Sequence, residues 1–167
     1  MKLFWGVKDI DKSKVSMWDP SYIGEPVMDE KFDLTPVEAQ QSLIDFCDKL
    51  PDLDFVEAGK ATCWTTAFRA YLKNSNLDMP IKDPDVFKTK LNDWVSTTQA
   101  GQLAKFSNEV GFIDNKLAYM KVTAQSVGNS RDPYDVKNPI YLKWENLVAE
   151  YNKNAPASMK SLEQTAG

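Results

Sequence analysis

The chain has no histidine. The commonest general base, the usual relay partner of a nucleophilic serine or cysteine and the usual zinc ligand are therefore missing, which disfavours most hydrolase designs. Glycine is scarce, at seven in 167 residues. Neither G-x-x-x-x-G-K-S/T nor G-x-G-x-x-G occurs, so no phosphate cradle for a nucleotide is expected. The two cysteines, Cys47 and Cys63, stand too far apart for a redox C-x-x-C pair and are too few for a four-ligand zinc site. Positive charge is also short, since 20 Lys and Arg against 24 Asp and Glu give a formal net charge of −4. With no Lys/Arg cluster the composition argues against a nucleic-acid partner and disfavours acidic substrates. No run approaches the ~18 apolar residues of a membrane-spanning helix. Lys2 followed by Leu3-Phe4-Trp5 lacks the apolar length of a signal peptide. As given, the chain is expected to be soluble and to carry no cofactor.

What is present, 43% hydrophobic and 26% charged residues, suits one ordinary globular domain over 1–167 with a core that needs no metal. Thr35-Pro36-Val37-Glu38 reads as a capping box with proline in the first turn, so a helix starts there. Ala39, Leu43, Phe46, Cys47 and Leu50 follow on one face, and Pro51 ends the run. Trp64, Ala67, Phe68, Tyr71 and Leu72 predict a second helix, broken at Asn74-Ser75-Asn76. Asp83-Pro84 caps and opens a third, with Phe87, Leu91, Trp94 and Val95 on one face up to Gly101.

Strand signals frame these helices. Leu3 to Val7 is short, aromatic and β-branched and runs into a turn at Lys8-Asp9-Ile10-Asp11. Asp54 to Gly59 reads as a short strand or an extended connector. Val110 to Ile113, a turn at Asp114-Asn115-Lys116 and a period-two run from Leu117 to Val127 make a hairpin. Asn138-Pro139 caps a last helix with Ile140, Trp144, Leu147, Val148 and Tyr151 inward, ending before Pro156. From Ser16 to Leu34 neither period holds, which predicts a long loop pinned to the body by Trp18, Tyr22 and other apolar groups. The tail from Ser158 carries no element. This order predicts an α+β sandwich, an antiparallel sheet covered by helices on one face.

Candidate chemistry is thin. Asp9 with Asp11, Asp29 with Glu30, and Asp52 with Asp54 are carboxylate pairs of the kind used for acid/base work or Ca²⁺. None sits in an EF-hand loop, and solvated turn residues are the simpler reading. Lys60 is near enough to Cys63 to lower a thiol pKa, yet a cysteine opening an amphipathic helix is more often structural. The cysteines end two buried stripes, which fits a disulfide between helix ends or two free buried thiols. No residue is assigned to catalysis or metal binding, and no enzyme activity is expected.

Several stretches, taken in order, carry a resemblance. They are Phe4-Trp5-Gly6-Val7-Lys8-Asp9-Ile10-Asp11, Trp18, Asp29-Glu30-Lys31-Phe32-Asp33, Ala39-Gln40-Gln41, Phe46-Cys47-Asp48-Lys49-Leu50 and Cys63-Trp64-Thr65-Thr66-Ala67-Phe68-Arg69-Ala70-Tyr71. Phe106-Ser107-Asn108-Glu109-Val110-Gly111-Phe112, Trp144-Glu145-Asn146-Leu147-Val148 and Asn154-Ala155-Pro156 continue the series. Together they resemble a large extracytoplasmic loop of the Patched/Dispatched-like group of RND-superfamily membrane permeases. The resemblance implies a ferredoxin-like α/β sandwich with an extra helix and a long N-terminal loop. It implies a porter-like domain, excised from a larger membrane protein, on the extracellular or lumenal face of the membrane. It further implies a Cys47–Cys63 disulfide, whose loop closure stabilises by about 3 kcal/mol. The implied partners are the other porter subdomain and the transmembrane helices of the same transporter. The implied function is passage or binding of lipid, sterol or other hydrophobic cargo without catalysis, with Trp18 and Tyr22 the first candidates to line a cleft. The rival expectation is a secreted or surface module that binds a protein partner through residues 16–34.

Overall fold

A computed structural model describes residues 1–14, 24–96, 109–128 and 131–165. Its sheet is organised around the strand Lys116–Ser126 (β6). Met120, Val122 and Ala124 of β6 are fully buried at alternate positions, because a strand sends successive side chains to opposite faces. On one flank β6 pairs with Lys2–Trp5 (β1), placing Leu3 opposite Val122 and Trp5 opposite Met120. Its other flank is shared by Val110–Ile113 (β5) and Val56–Thr62 (β4). Glu163–Thr165 (β7) joins the free edge of β1. The resulting order is β4-β6-β1-β7, with all neighbours antiparallel. The β5–β6 hairpin turns through Asp114 and Asn115 at φ 50° and 60°, left-handed positions that Asp and Asn tolerate and that match the twist of the strands.

Two helices lie against the face that carries Trp5. Val37–Lys49 (α1) brings Phe46 to 5.3 Å from the Trp5 ring, and Tyr134–Asn154 (α4) brings Tyr151 to 5.7 Å, both edge-on. Trp144 of α4 is fully buried against Phe55, and its indole N–H donates to Ser126 Oγ at 2.8 Å. Between β4 and β5 the chain makes Trp64–Lys73 (α2) and Pro84–Ser96 (α3). These pack on each other through Phe68, whose ring lies 5.3 Å from Trp94 and 6.1 Å from Phe87. Asp83 Oδ1 accepts the N–H groups of Asp85 (2.9 Å) and Val86 (3.3 Å), the expected cap of α3. The α+β class with an antiparallel sheet is thus as the sequence predicts. The Cys47–Cys63 disulfide joins the end of α1 to the residue preceding α2, with Cα atoms 6.0 Å apart.

Five local expectations are corrected. Lys8 to Asp11 is no turn: Val7–Asp11 (β2) is a strand paired with Glu25–Met28 (β3) in a separate ribbon. Gly6, at φ +85°, separates β1 from that ribbon, and a Cβ there would stand 2.1 Å from the Ala118 carbonyl. Part of the predicted loop is therefore β3, while residues 15–23, including Trp18 and Tyr22, lie outside the described residues. The Thr35–Glu38 capping box does not form. The Thr35 N–H donates instead to Asp33 Oδ1 at 2.9 Å, Pro36 occupies the cap, and no side chain bonds there. Asn138-Pro139 does not open the last helix, which starts at Tyr134 and keeps Pro139 inside it. The tail carries β7, and residues 97–108, where α3 was expected to continue to Gly101, also lie outside the described residues.

Candidate functional site

The spacing of α1 puts Glu38, Ser42, Asp45 and Lys49 in one stripe beside its buried one, since residues three and four apart share a helix face. The same rule aligns Leu147, Glu150, Tyr151 and Asn154 on α4. Because both helices rest on one sheet face, these stripes flank a groove of 430 Å³. Phe46 and Tyr151, with rings 5.2 Å apart and edge-on, form its aromatic side, and Ala155 and Pro156 also line it. Ser42 Oγ and the Tyr151 hydroxyl meet at 3.0 Å and bridge the two helices.

Burial pushes the Tyr151 phenol above its ordinary pKa, opposed by the Ser42 hydrogen bond and by the nearby Trp5 indole. At neutral pH the groove therefore presents a neutral hydroxyl. Its rim is charged, with Glu38, Asp45 and Glu150 and a single Lys49 among the lining residues. Gln41 Nε2 donates to Asp45 Oδ1 at 2.7 Å, which holds that carboxylate along the helix. The arrangement offers an apolar aromatic wall under a negative rim, with no paired acid and base set for proton transfer.

The other sequence candidates fall elsewhere. Asp9 Oδ1 accepts the Ile10 N–H (2.7 Å) and Asp11 Oδ1 the Ser13 N–H (2.8 Å), so each carboxylate is engaged by neighbouring backbone. Asp29 Oδ1 likewise accepts the Lys31 N–H at 3.0 Å. Asp54 pairs with Lys143, and Asp52 is exposed. Lys60 meets no thiolate, because Cys63 is in the disulfide. Among the described residues no group of three or more His, Cys, Asp or Glu is placed to hold a metal ion, and no helix is long and apolar enough to cross a membrane. The groove was not among the sequence candidates. Its signal was the polar stripe running beside each apolar stripe on α1 and α4, which a search for buried faces passes over.

No protein-family model matches the chain, and no curated protein matches it at a significant level.

Proposed function

We propose that the chain is an extracytoplasmic, porter-like domain of a Patched/Dispatched-like RND permease, contributing without catalysis to the passage of lipid, sterol or other hydrophobic cargo. The observation that carries the reading is the strand order. Taken as first, second, third and fourth strands, β1, β4, β6 and β7 lie in the order second-third-first-fourth, with α1 joining the first pair and α4 the last. That order supports reading the domain as a ferredoxin-like sandwich, with α2, α3 and β5 as an insertion before the third strand. The disulfide supports an oxidising, extracytoplasmic setting. The register of Lys2 opposite Thr165 adds that the chain enters and leaves the fold side by side. Such adjacent ends suit a domain hung between two membrane helices, as they suit many inserted domains.

A second reading, a secreted module that binds a protein partner through residues 16–34, is favoured by the half-exposed Ile10 and Val27 on the β2–β3 ribbon that carries this segment. One experiment separates the two. An antibody against residues 131–165, applied to fractionated native cells, should find the epitope in carbonate-washed membranes and accessible to protease from the extracytoplasmic side. An epitope released into the medium supports the module, and one confined to the cytosol ends the permease reading.

A further inference from the structure

We propose that the α1–α4 groove binds an organic ammonium group carried on an aliphatic body. The inference stands whether or not the chain belongs to a permease. The groove is lined by three carboxylates, from Glu38, Asp45 and Glu150, and one ammonium, from Lys49, so its rim carries an excess of negative charge. An anion would meet more repulsion than attraction there. A bare metal ion is also a poor fit, because no group of three carboxylates is placed to replace its water. The wall beneath the rim is the half-buried Tyr151 with the almost fully buried Phe46 beside it, which has no use for a strongly hydrated ion. An alkylammonium differs on both counts. Its charge is spread over methyl or methylene groups that lose little by leaving water, and it is attracted to aromatic faces within about 6 Å. Leu147, Ala155 and Pro156 then supply apolar surface for the body that follows the head. The volume, 430 Å³, suits a small molecule or one lipid headgroup, within the usual range of roughly 300–1,000 Å³ for ligand sites. The Ser42–Tyr151 hydroxyl bridge, 3.0 Å across, ties the two walls at a fixed separation, so the groove exists before the ligand arrives.

The test is an NMR titration of the oxidised full chain with tetramethylammonium chloride and, below its micellar concentration, decyltrimethylammonium bromide. Decyl sulfate and decyl maltoside serve as chain-matched controls. Saturable shifts are expected at the amides of Ser42, Phe46, Leu147 and Tyr151 with the ammonium probes. Tighter binding of the decyl compound supports the aliphatic body of the proposed ligand, and equal binding of the two cations overturns it. The double variant Glu38→Gln, Glu150→Gln changes two exposed side chains and should keep the far-ultraviolet circular dichroism while weakening binding by about fivefold or more. Lys49→Gln should strengthen it. The proposal is overturned by equal affinity for decyl sulfate or decyl maltoside at the same amides, by absence of shifts in the groove, or by unchanged affinity in the double variant.

Discussion

Gln40 is fully buried and spends its whole amide on backbone. Its Nε2 donates to the carbonyls of Ile81 and Thr35, both at 2.9 Å, while its Oε1 accepts the Ile81 N–H at 2.8 Å. Asn152 treats Leu162 the same way, donating to its carbonyl at 2.8 Å and accepting its N–H at 3.0 Å. Each amide thus completes a loop residue as a neighbouring strand would. Gln40→Leu leaves buried polar backbone groups unpaired and should cost about 3 kcal/mol in a urea unfolding series, a loss under about 1 kcal/mol contradicting the assignment. Tyr151 carries a pH prediction. Its folded pKa lies above the ordinary 10.0, so above that value the unfolded chain ionises this phenol first, and stability falls as pH rises toward the folded pKa. Tyr151→Phe should be less stable than the parent by about 1 kcal/mol at neutral pH, through the lost Ser42 hydrogen bond. That deficit should shrink at pH ~10.5, where only the parent suffers the ionisation. An equal difference at both pH values would contradict burial as the cause. Neither role was legible in the sequence. Gln40 reads as one polar residue beside an apolar stripe, and its partner Ile81 is far away in the chain.

At the scale of elements, legibility followed burial. α1, α2, α3 and the β5–β6 hairpin each hide one face, so the sequence had to write a helical or alternating period into them, and there the expectations held. β2 and β3 hide almost nothing, with Ile10 and Val27 at 45% and 41% exposure, and so left no period to read. β7 is three residues of Glu-Gln-Thr whose only reason to be extended is the edge of β1, distant in sequence. Pro139 misled for another reason. Proline prefers a first turn, but burial of Trp144 further along α4 outweighs its cost, and the helix forms around it. Pro139 is exposed, so Pro139→Ala should raise stability by about 2 kcal/mol, the helix-interior penalty less the entropy that proline removes from the unfolded chain. A destabilised variant would show that the ring packs on something essential. The disulfide was legible only as one of two alternatives. It now joins α1 to the start of α2, and Cys47→Ser with Cys63→Ser should lose about 3 kcal/mol, measured by urea unfolding against the oxidised parent. Dithiothreitol should produce the same loss in the parent and none in the variant. For the candidate site, Trp18 and Tyr22 lie beyond what the structure describes, whereas the groove was encoded in stripes that look like ordinary solvated faces.

The whole molecule is a sheet whose central strand, β6, is long enough to hold β5 and β4 end to end on one flank and β1 on the other. The covering helices α1 and α4 come from opposite ends of the chain, so the groove between them exists only once both have folded onto β1. The juxtaposition of β1 and β7 also fixes how the fold meets a mechanical load. Tension applied at Lys2 and Thr165 pulls on residues that face each other across an antiparallel ladder, so its rungs open in succession, like a zip, and never share the strain. The amide grip of Asn152 on Leu162 comes next in line. In an optical trap with handles at these two residues, a short low-force extension should precede the main rupture, and a single cooperative rupture would contradict it. A body pulled at these two positions would then slacken first at its edge strand, while the layer holding the aromatic groove stayed intact.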